Sequence, residues 1–361
     1  DAGSVFRIST SGKLTPLYDF TGNIGDYPVC RLTQASDGSL FGTTLYGGRG
    51  LVGTIYRISS AALSVVYSFR RNSGGTSPTS SPIQAADGNL YGVATGPPGG
   101  VHGSLYKLST SGVFTRLSLL VDLPYGGVIQ AADGYLYGTT RWGGAFSEGT
   151  IYRADLLGNT STIYSFPVTS SHYPVSGVIQ AKDGNLYGTA PKGGIGAGGI
   201  YGVTPSGSLI SSYRFRGGGD GGIPLAALYE AADGNLYGTT SAGGQFGFGT
   251  VFRYTTAGKL TTLYSFTGGA DGAAPVASLI QATDGNLYGT TQSGGAFDNG
   301  TLFTITTQGA FTNLYSFTGG ADGGTPVANV IQGADGKLYG TTEFGGQVNC
   351  GAVYCYSLPT P

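Results

Sequence analysis

Apolar residues along this chain fall in short clusters of five to eight, bounded by Gly, Asp or Pro, and none extends into a stripe of helical period. Between residues 278 and 317 four such clusters follow one another, at 278–282, 286–291, 300–305 and 310–317. They are rich in β-branched and aromatic types, which predicts strands. In chain order they are strands A, B, C and D. Clusters such as 150–152 carry apolar residues on both faces, as expected of sheets packed between other sheets.

The four-strand pattern recurs. The phrase Asp-Gly-x-Leu followed by Phe or Tyr and then Gly has its Asp at Asp37, Asp87, Asp133, Asp183, Asp233, Asp284 and Asp335, and a Pro keeps the same step at Pro28, Pro78, Pro124, Pro174, Pro224, Pro275 and Pro326. Seven units of about 50 residues predict an all-β, seven-bladed β-propeller with four antiparallel strands per blade, its ring closed by N- and C-terminal strands in one blade. A single domain over 1–361 is expected, with blades near 29–69, 80–119, 127–166, 177–215, 226–266, 278–317, and 329–357 plus 4–20. Strand A joins B through Asp-Gly, whose Gly supplies the positive φ of a hairpin. Strand C joins D through a short Gly turn such as 256–258. The longer B–C and D–A loops share the opposite face, where a ligand site belongs. Strand C occurs once too often, so one copy either lies at the outer edge of the seventh blade or pairs with another molecule.

Composition narrows the classes. Of 361 residues 68 are Gly, and 18 basic against 19 acidic residues give a net charge of −1, without the basic footprint that nucleic acid requires. No apolar run of 18 residues is present to cross a membrane as a helix. Gly does not follow a three-residue period, which excludes collagen, and 25 Tyr with 17 Phe are too many for a disordered chain. The chain has no Met, even at position 1, as expected of a processed product such as one that has lost an export signal. Its Cys residues are Cys30, Cys350 and Cys355. A Cys30–Cys350 bridge is expected if ring closure sets blades one and seven side by side, and Cys350 and Cys355 pair only if their segment bends.

The phrase Ile-Gln-Ala-x-Asp-Gly-Asn-Leu-Tyr-Gly-Thr-Thr at 280–291, followed in each unit by Gly-Gly and a segment such as Gly-Thr-Val-Phe-Arg at 249–253, resembles the GloVer (choice-of-anchor) tandem-repeat family of bacterial secreted and surface proteins. The likeness recurs seven times and covers nearly the whole chain. It implies export, often with a sorting or anchoring segment, and implies no particular activity.

Candidate chemistry lies where the repeat is broken. Trp142 and Arg141 stand on one B–C loop, and Tyr46, Phe344 and Lys192 hold the same loop in other blades. Phe146, Phe246, Phe248 and Phe297 follow the Gly-Gly pair. Such aromatics either stack on sugar rings or pack the loops onto their neighbours. His102 and His172, with Tyr125, Tyr173 and Glu148, offer acid–base groups if folding gathers them. Repeated polar positions read as structural: Gln34, Gln84, Gln130, Gln180, Glu230, Gln281 and Gln332 on strand A satisfy backbone groups between blades or line a channel, with Glu230 the one acid among them. Asp26, Asp122, Asp220, Asp271 and Asp322 in the D–A loops suit turns better than a hard cation, because each loop offers one Asp. Zinc-type spacing, a phosphate-binding loop and a nucleophile elbow are missing, and no cofactor is expected.

The expectation is a non-catalytic extracellular or cell-surface binding or structural and assembly module, glycan-binding or fibre-forming. Its partners are a glycan and further copies of itself through the spare terminal strand, not nucleic acid. A polysaccharide-cleaving enzyme, lyase or hydrolase, with a site on the B–C and D–A loop face is the alternative.

Overall fold

The computed structural model describes residues 3–11, 13–28, 30–60, 62–70, 75–96, 102–120, 122–168, 171–193, 196–347 and 349–358. Every regular element among them is a strand, and the fold is an all-β, seven-bladed β-propeller. The chain divides into two compact units, 1–166 with 173–178, and 167–172 with 179–361.

The first unit opens with the hairpin Ser4–Ile8 and Leu14–Asp19. Blade one follows as Thr33–Gln34, Leu40–Thr44, Thr54–Ser59 and Ala62–Ser68. Blade two is Ile83–Gln84, Leu90–Ala94, Gly103–Leu108 and Phe114–Leu120. Blade three is Ile129–Gln130, Leu136–Thr140, Thr150–Ala154 and Thr160–Ser165.

The second unit holds blade four, Ile179–Gln180, Leu186–Ala190, Gly199–Val203 and Leu209–Arg214. Blade five is Tyr229–Glu230, Leu236–Thr240, Thr250–Tyr254 and Leu260–Ser265. Blade six is Ile280–Gln281, Leu287–Thr291, Thr301–Ile305 and Phe311–Ser316. Three strands follow, Ile331–Gln332, Leu338–Thr341 and Val353–Tyr356. Each complete blade is an antiparallel sheet in the order A-B-C-D. The strands expected to complete one blade from the two termini are hydrogen-bonded as two sets: Val353–Tyr356 takes the C place beside Leu338–Thr341, and Ser4–Ile8 pairs with its own D strand.

Strand A is shorter than its apolar pattern predicts, with only two residues in the ladder. Its Gln does the remaining work with its side chain. In blade two, Gln84 Oε1 accepts the Ser36 N–H of blade one at 2.7 Å, and Nε2 donates to Gly88 O of its own turn at 2.8 Å. Gln130 bridges to Ala86, Gln281 to Ala232 and Gln332 to Thr283 in the same way. The amide carries both a donor and an acceptor, so one side chain satisfies two backbone groups on adjacent blades. Glu230 has no donor. Both its oxygens accept from Lys182 N–H, and the Lys182 ammonium reaches the carbonyls of Ala231 and Ala232.

The A–B turn is a three-residue hairpin rather than a two-residue one. Gly285 N–H donates to Ala282 O, and Gly285 holds φ +82°. Its Asp also ties down strand B, because Asp284 Oδ2 accepts Tyr288 O–H at 2.7 Å and the Asn286 side chain at 2.8 Å.

Blades stack through aromatics. The D-strand Phe meets the C-strand aromatic of the next blade: Phe20 on Tyr56 at 5.0 Å, Phe69 on Tyr106 at 5.8 Å, Phe266 on Phe303 at 5.3 Å. Each such side chain fully buried stabilises by about 1.5–3 kcal/mol. The C-strand ring lies over a Gly of strand B. A Cβ on Gly138 would stand 2.4 Å from Tyr152 Oη, so the Gly is needed for close approach.

Candidate functional site

The D–A loops are hung from the preceding blade by the backbone. The residue before the repeating Pro is left-handed in six loops: Tyr27, Ser77, Tyr173, Ile223, Ala274 and Thr325, with φ between 51° and 59°. This costs energy, most for β-branched Ile223 and Thr325, and the Pro that follows restricts it further. The conformation turns the N–H toward the B–C loop before it. Ser77 donates to Val52 O at 2.6 Å, Tyr173 to Glu148 O at 3.0 Å, Ala274 to Phe248 O at 2.9 Å and Thr325 to Asn299 O at 2.8 Å. Main-chain atoms therefore hold both loops, and the side chains at their tips remain exposed.

The D–A carboxylates belong to the same scaffold. Asp271 Oδ2 accepts Tyr264 O–H at 2.8 Å and Thr267 N–H at 2.8 Å, and Asp322 repeats this with Tyr315 and Thr318. Among the described residues no group of three or more His, Cys, Asp or Glu is arranged to hold a metal ion.

Blade three carries the most chemistry. Strand B ends at Thr140, whose hydroxyl pairs with Thr150 Oγ1 at 2.7 Å and donates to Trp142 O at 2.7 Å. Arg141 N–H donates to Leu123 O at 2.8 Å, fixing this loop to the one that holds Tyr125. The Arg141 guanidinium carbon lies 5.5 Å from the Tyr125 ring and 5.7 Å from the Trp142 ring, within cation–π reach of both. Trp142 meets Tyr173 with centroids 4.3 Å apart and planes at 59°. Trp142 is 41% exposed and Tyr125 43%, so both rings keep part of their surface in solvent. The Tyr173 hydroxyl is hydrogen-bonded to the Glu148 carboxylate. Burial and that carboxylate push its pKa up, against the opposing charge of Arg141. Beneath the loop Asp122 packs against Gly143, where a Cβ would overlap its carboxylate. Burial pushes the Asp122 pKa up, while the Gly144 N–H and the charge of His102 pull it down.

Arg141 and Trp142 are thus brought together with Tyr125, Tyr173 and Glu148. The other candidates stand apart. Tyr46 makes an edge contact with Tyr27 at 5.8 Å within blade one. Phe344 is exposed and joined by its backbone to Gly324. His102 is exposed and acts on Asp122. His172 lies in a short strand paired with Lys192–Gly193, and its side chain lies outside the described ones. Cys30, Cys350 and Cys355 are present as thiols and not as half-cystines, the expected Cys30–Cys350 bridge included. Cys30 points into blade one toward Thr43 and Tyr56, where burial raises its pKa, whereas Cys350 and Cys355 are exposed. The left-handed residues were not expected from sequence, and the Pro after each was the available signal.

In the second unit a shallow cavity of 330 Å³ is lined by Gln245, Phe246, Tyr264 and Thr267, among others.

A family model described as the Gloeobacter/Verrucomicrobia repeat matches residues 1–122, 120–282 and 196–361. No curated protein matches the chain. Among solved structures it is similar to a Bacteroides uniformis protein provisionally assigned as a 6-phosphogluconolactonase, with TM-score 0.55, 12% identity, and coverage of 86% of this chain and 90% of that one. It is similar to puromycin hydrolase with TM-score 0.57 and 14% identity over 89% of this chain and 50% of that one. For Porphyromonas gingivalis dipeptidyl peptidase 4 the TM-score is 0.54 and the identity 10%, over 99% of this chain and 58% of that one. At these identities the likeness is one of fold.

Proposed function

The chain belongs to the Gloeobacter/Verrucomicrobia repeat family, and from that premise we propose that it is a non-catalytic binding module, exported or held at the cell surface, that takes a glycan on the loops of blade three. The observation that carries this reading is the partly exposed Trp142 ring, braced by Tyr173 and set beside Arg141 and Tyr125. The apolar C–H face of a pyranose stacks on such rings, and the guanidinium supplies donors to its hydroxyls or carboxylate. The low share of charged residues, 10%, suits a protein that adheres to neutral surfaces rather than one steered by its field.

The test is a glycan array followed by titration of the best binder. Replacing Trp142 with Ala weakens binding by at least tenfold, the loss of about 1.4 kcal/mol or more, and leaves the melting temperature within a few degrees. Arg141→Ala weakens charged glycans more than neutral ones. Binding that survives both changes overturns the site. Release of reducing ends or of ultraviolet-absorbing unsaturated ends from the bound glycan overturns the non-catalytic reading.

A further inference from the structure

Two strands of this chain are built for the same place, the C position beside Leu338–Thr341. The occupant is Val353–Tyr356, paired in the register of every other blade: Leu338 faces Tyr356 and Thr341 faces Val353. It lacks contacts that several other C strands make. At the head of strand C in blades one, three, five and six a Thr hydroxyl bonds the last Thr of strand B, as Thr54 does with Thr44 at 2.8 Å and Thr301 with Thr291 at 2.8 Å. Blade seven has Ala352 opposite Thr342: the Ala352 N–H donates to Thr342 Oγ1 and the Thr342 N–H to Ala352 O, but no second hydroxyl closes the clasp. In blades one and two the C strand also carries a cation to the turn Asp, Arg57 to Asp37 at 3.0 Å and Lys107 to Asp87 at 3.1 Å. Blade seven carries Cys355 there, and Asp335 is left with the Tyr339 hydroxyl, the Lys337 N–H and the Lys337 ammonium at 3.6 Å. Among the described residues no D strand flanks Val353–Tyr356.

The N-terminal hairpin has what this place lacks. Its first strand reads Ser-Val-Phe-Arg-Ile, against Thr-Leu-Phe-Thr-Ile at Thr301–Ile305 in blade six. Set there in the register of blade six, it would place Ser4 opposite Thr342 and Arg7 at the position next to Asp335, and it carries its own D strand, Leu14–Asp19. The edge of Ser4–Ile8 away from that D strand has no partner among the described residues. Phe6 and Ile8 are half-exposed, although Phe303 and Ile305 at the same positions of blade six are fully buried. Arg7 is exposed.

We propose that the place beside Leu338–Thr341 is a strand-exchange seat, and that its second occupant is the Ser4–Asp19 hairpin of another copy of this chain. Exchange displaces Val353–Tyr356, completes a four-stranded blade across two molecules, buries Phe6 and Ile8, and joins Arg7 to Asp335. Opposite charge at one position along the strand edge selects this partner over a shifted register. Because seat and hairpin are different surfaces of one chain, the contact is head-to-tail, closing as a small ring or running on as a filament.

Light scattering of the full chain over a hundredfold range of concentration tests this. The mass should rise with concentration, and Arg7→Glu should shift the association midpoint at least tenfold higher without lowering the melting temperature. Arg7→Asp and Asp335→Arg chains should each remain monomeric alone and associate when mixed, since each then offers the charge the other needs. Asp335 also holds its own turn, so if Asp335→Arg fails to fold, the Arg7→Glu comparison decides alone. A wild-type chain that stays monomeric throughout, or an association indifferent to Arg7, overturns the proposal.

Discussion

Single side chains in this protein act by satisfying backbone groups, and their replacement has calculable consequences. Gln281 accepts from Ala232 N–H and donates to Gly285 O. Gln281→Leu leaves both groups without a partner at a blade junction and should cost about 1–3 kcal/mol in a chemical denaturation series. Ile223 holds φ +57° so that its N–H reaches Ala197 O at 2.7 Å. Ile223→Gly keeps that bond and removes the steric cost of the left-handed region, so it should be neutral or stabilising by up to about 1 kcal/mol, whereas Gly at an ordinary strand position destabilises. The turn carboxylates set the acid limit. Burial raises the pKa of Asp87, but bonds from Asn89, Tyr91 and Lys107 outweigh it and hold the group at about 2. Its folded pKa is below the unfolded value of about 4. It therefore stabilises the fold fully above that unfolded value, and the contribution disappears as pH falls toward 2. Asp183, Asp233, Asp284 and Asp335 are lowered as well. Melting temperature should thus be flat above about pH 5 and fall steeply between 4 and 2, and Asp87→Asn should shallow that fall.

At the level of strands, the B–C–D ladder was legible in the sequence because alternation of Gly with large aromatics encodes it directly. Gly138 beneath Tyr152 is one instance: Gly138→Ala places a carbon 2.4 Å from the phenol oxygen. The ring has no room to retreat, so a loss of about 1–3 kcal/mol is expected by thermal or denaturant melting. Strand A was legible in place but not in extent. The apolar residues around Ile280 pack between blades without extending the ladder, which holds only Ile280 and Gln281. Pattern alone does not separate a buried irregular segment from a strand. The left-handed residue before each repeating Pro was hidden for a different reason. Its cause is a hydrogen bond to a residue about 25 positions earlier, as from Tyr173 to Glu148, and no local rule contains that partner.

For the whole molecule, repetition revealed the architecture, and departures from repetition mark the places of interest. The clustering of Arg141 with Trp142 followed from their adjacency, but the contributions of Tyr125 and Tyr173 come from two different loops and needed the fold to bring them together. The spare C strand was countable in the sequence, whereas the contacts missing beside Thr342 and Asp335 emerged only when equivalent positions in other blades could be compared.

The suspension of each D–A loop from main-chain atoms has a practical corollary. Side chains such as Tyr46, Trp142 and Phe344 carry none of the hydrogen bonds that hold these loops, because neither the Thr clasp below them nor the inter-loop bonds pass through them. Randomised libraries at these tips should therefore express as readily as the parent, and selection from them should yield new affinities on an unaltered frame. A lineage in nature can vary these tips by the same route, one loop at a time.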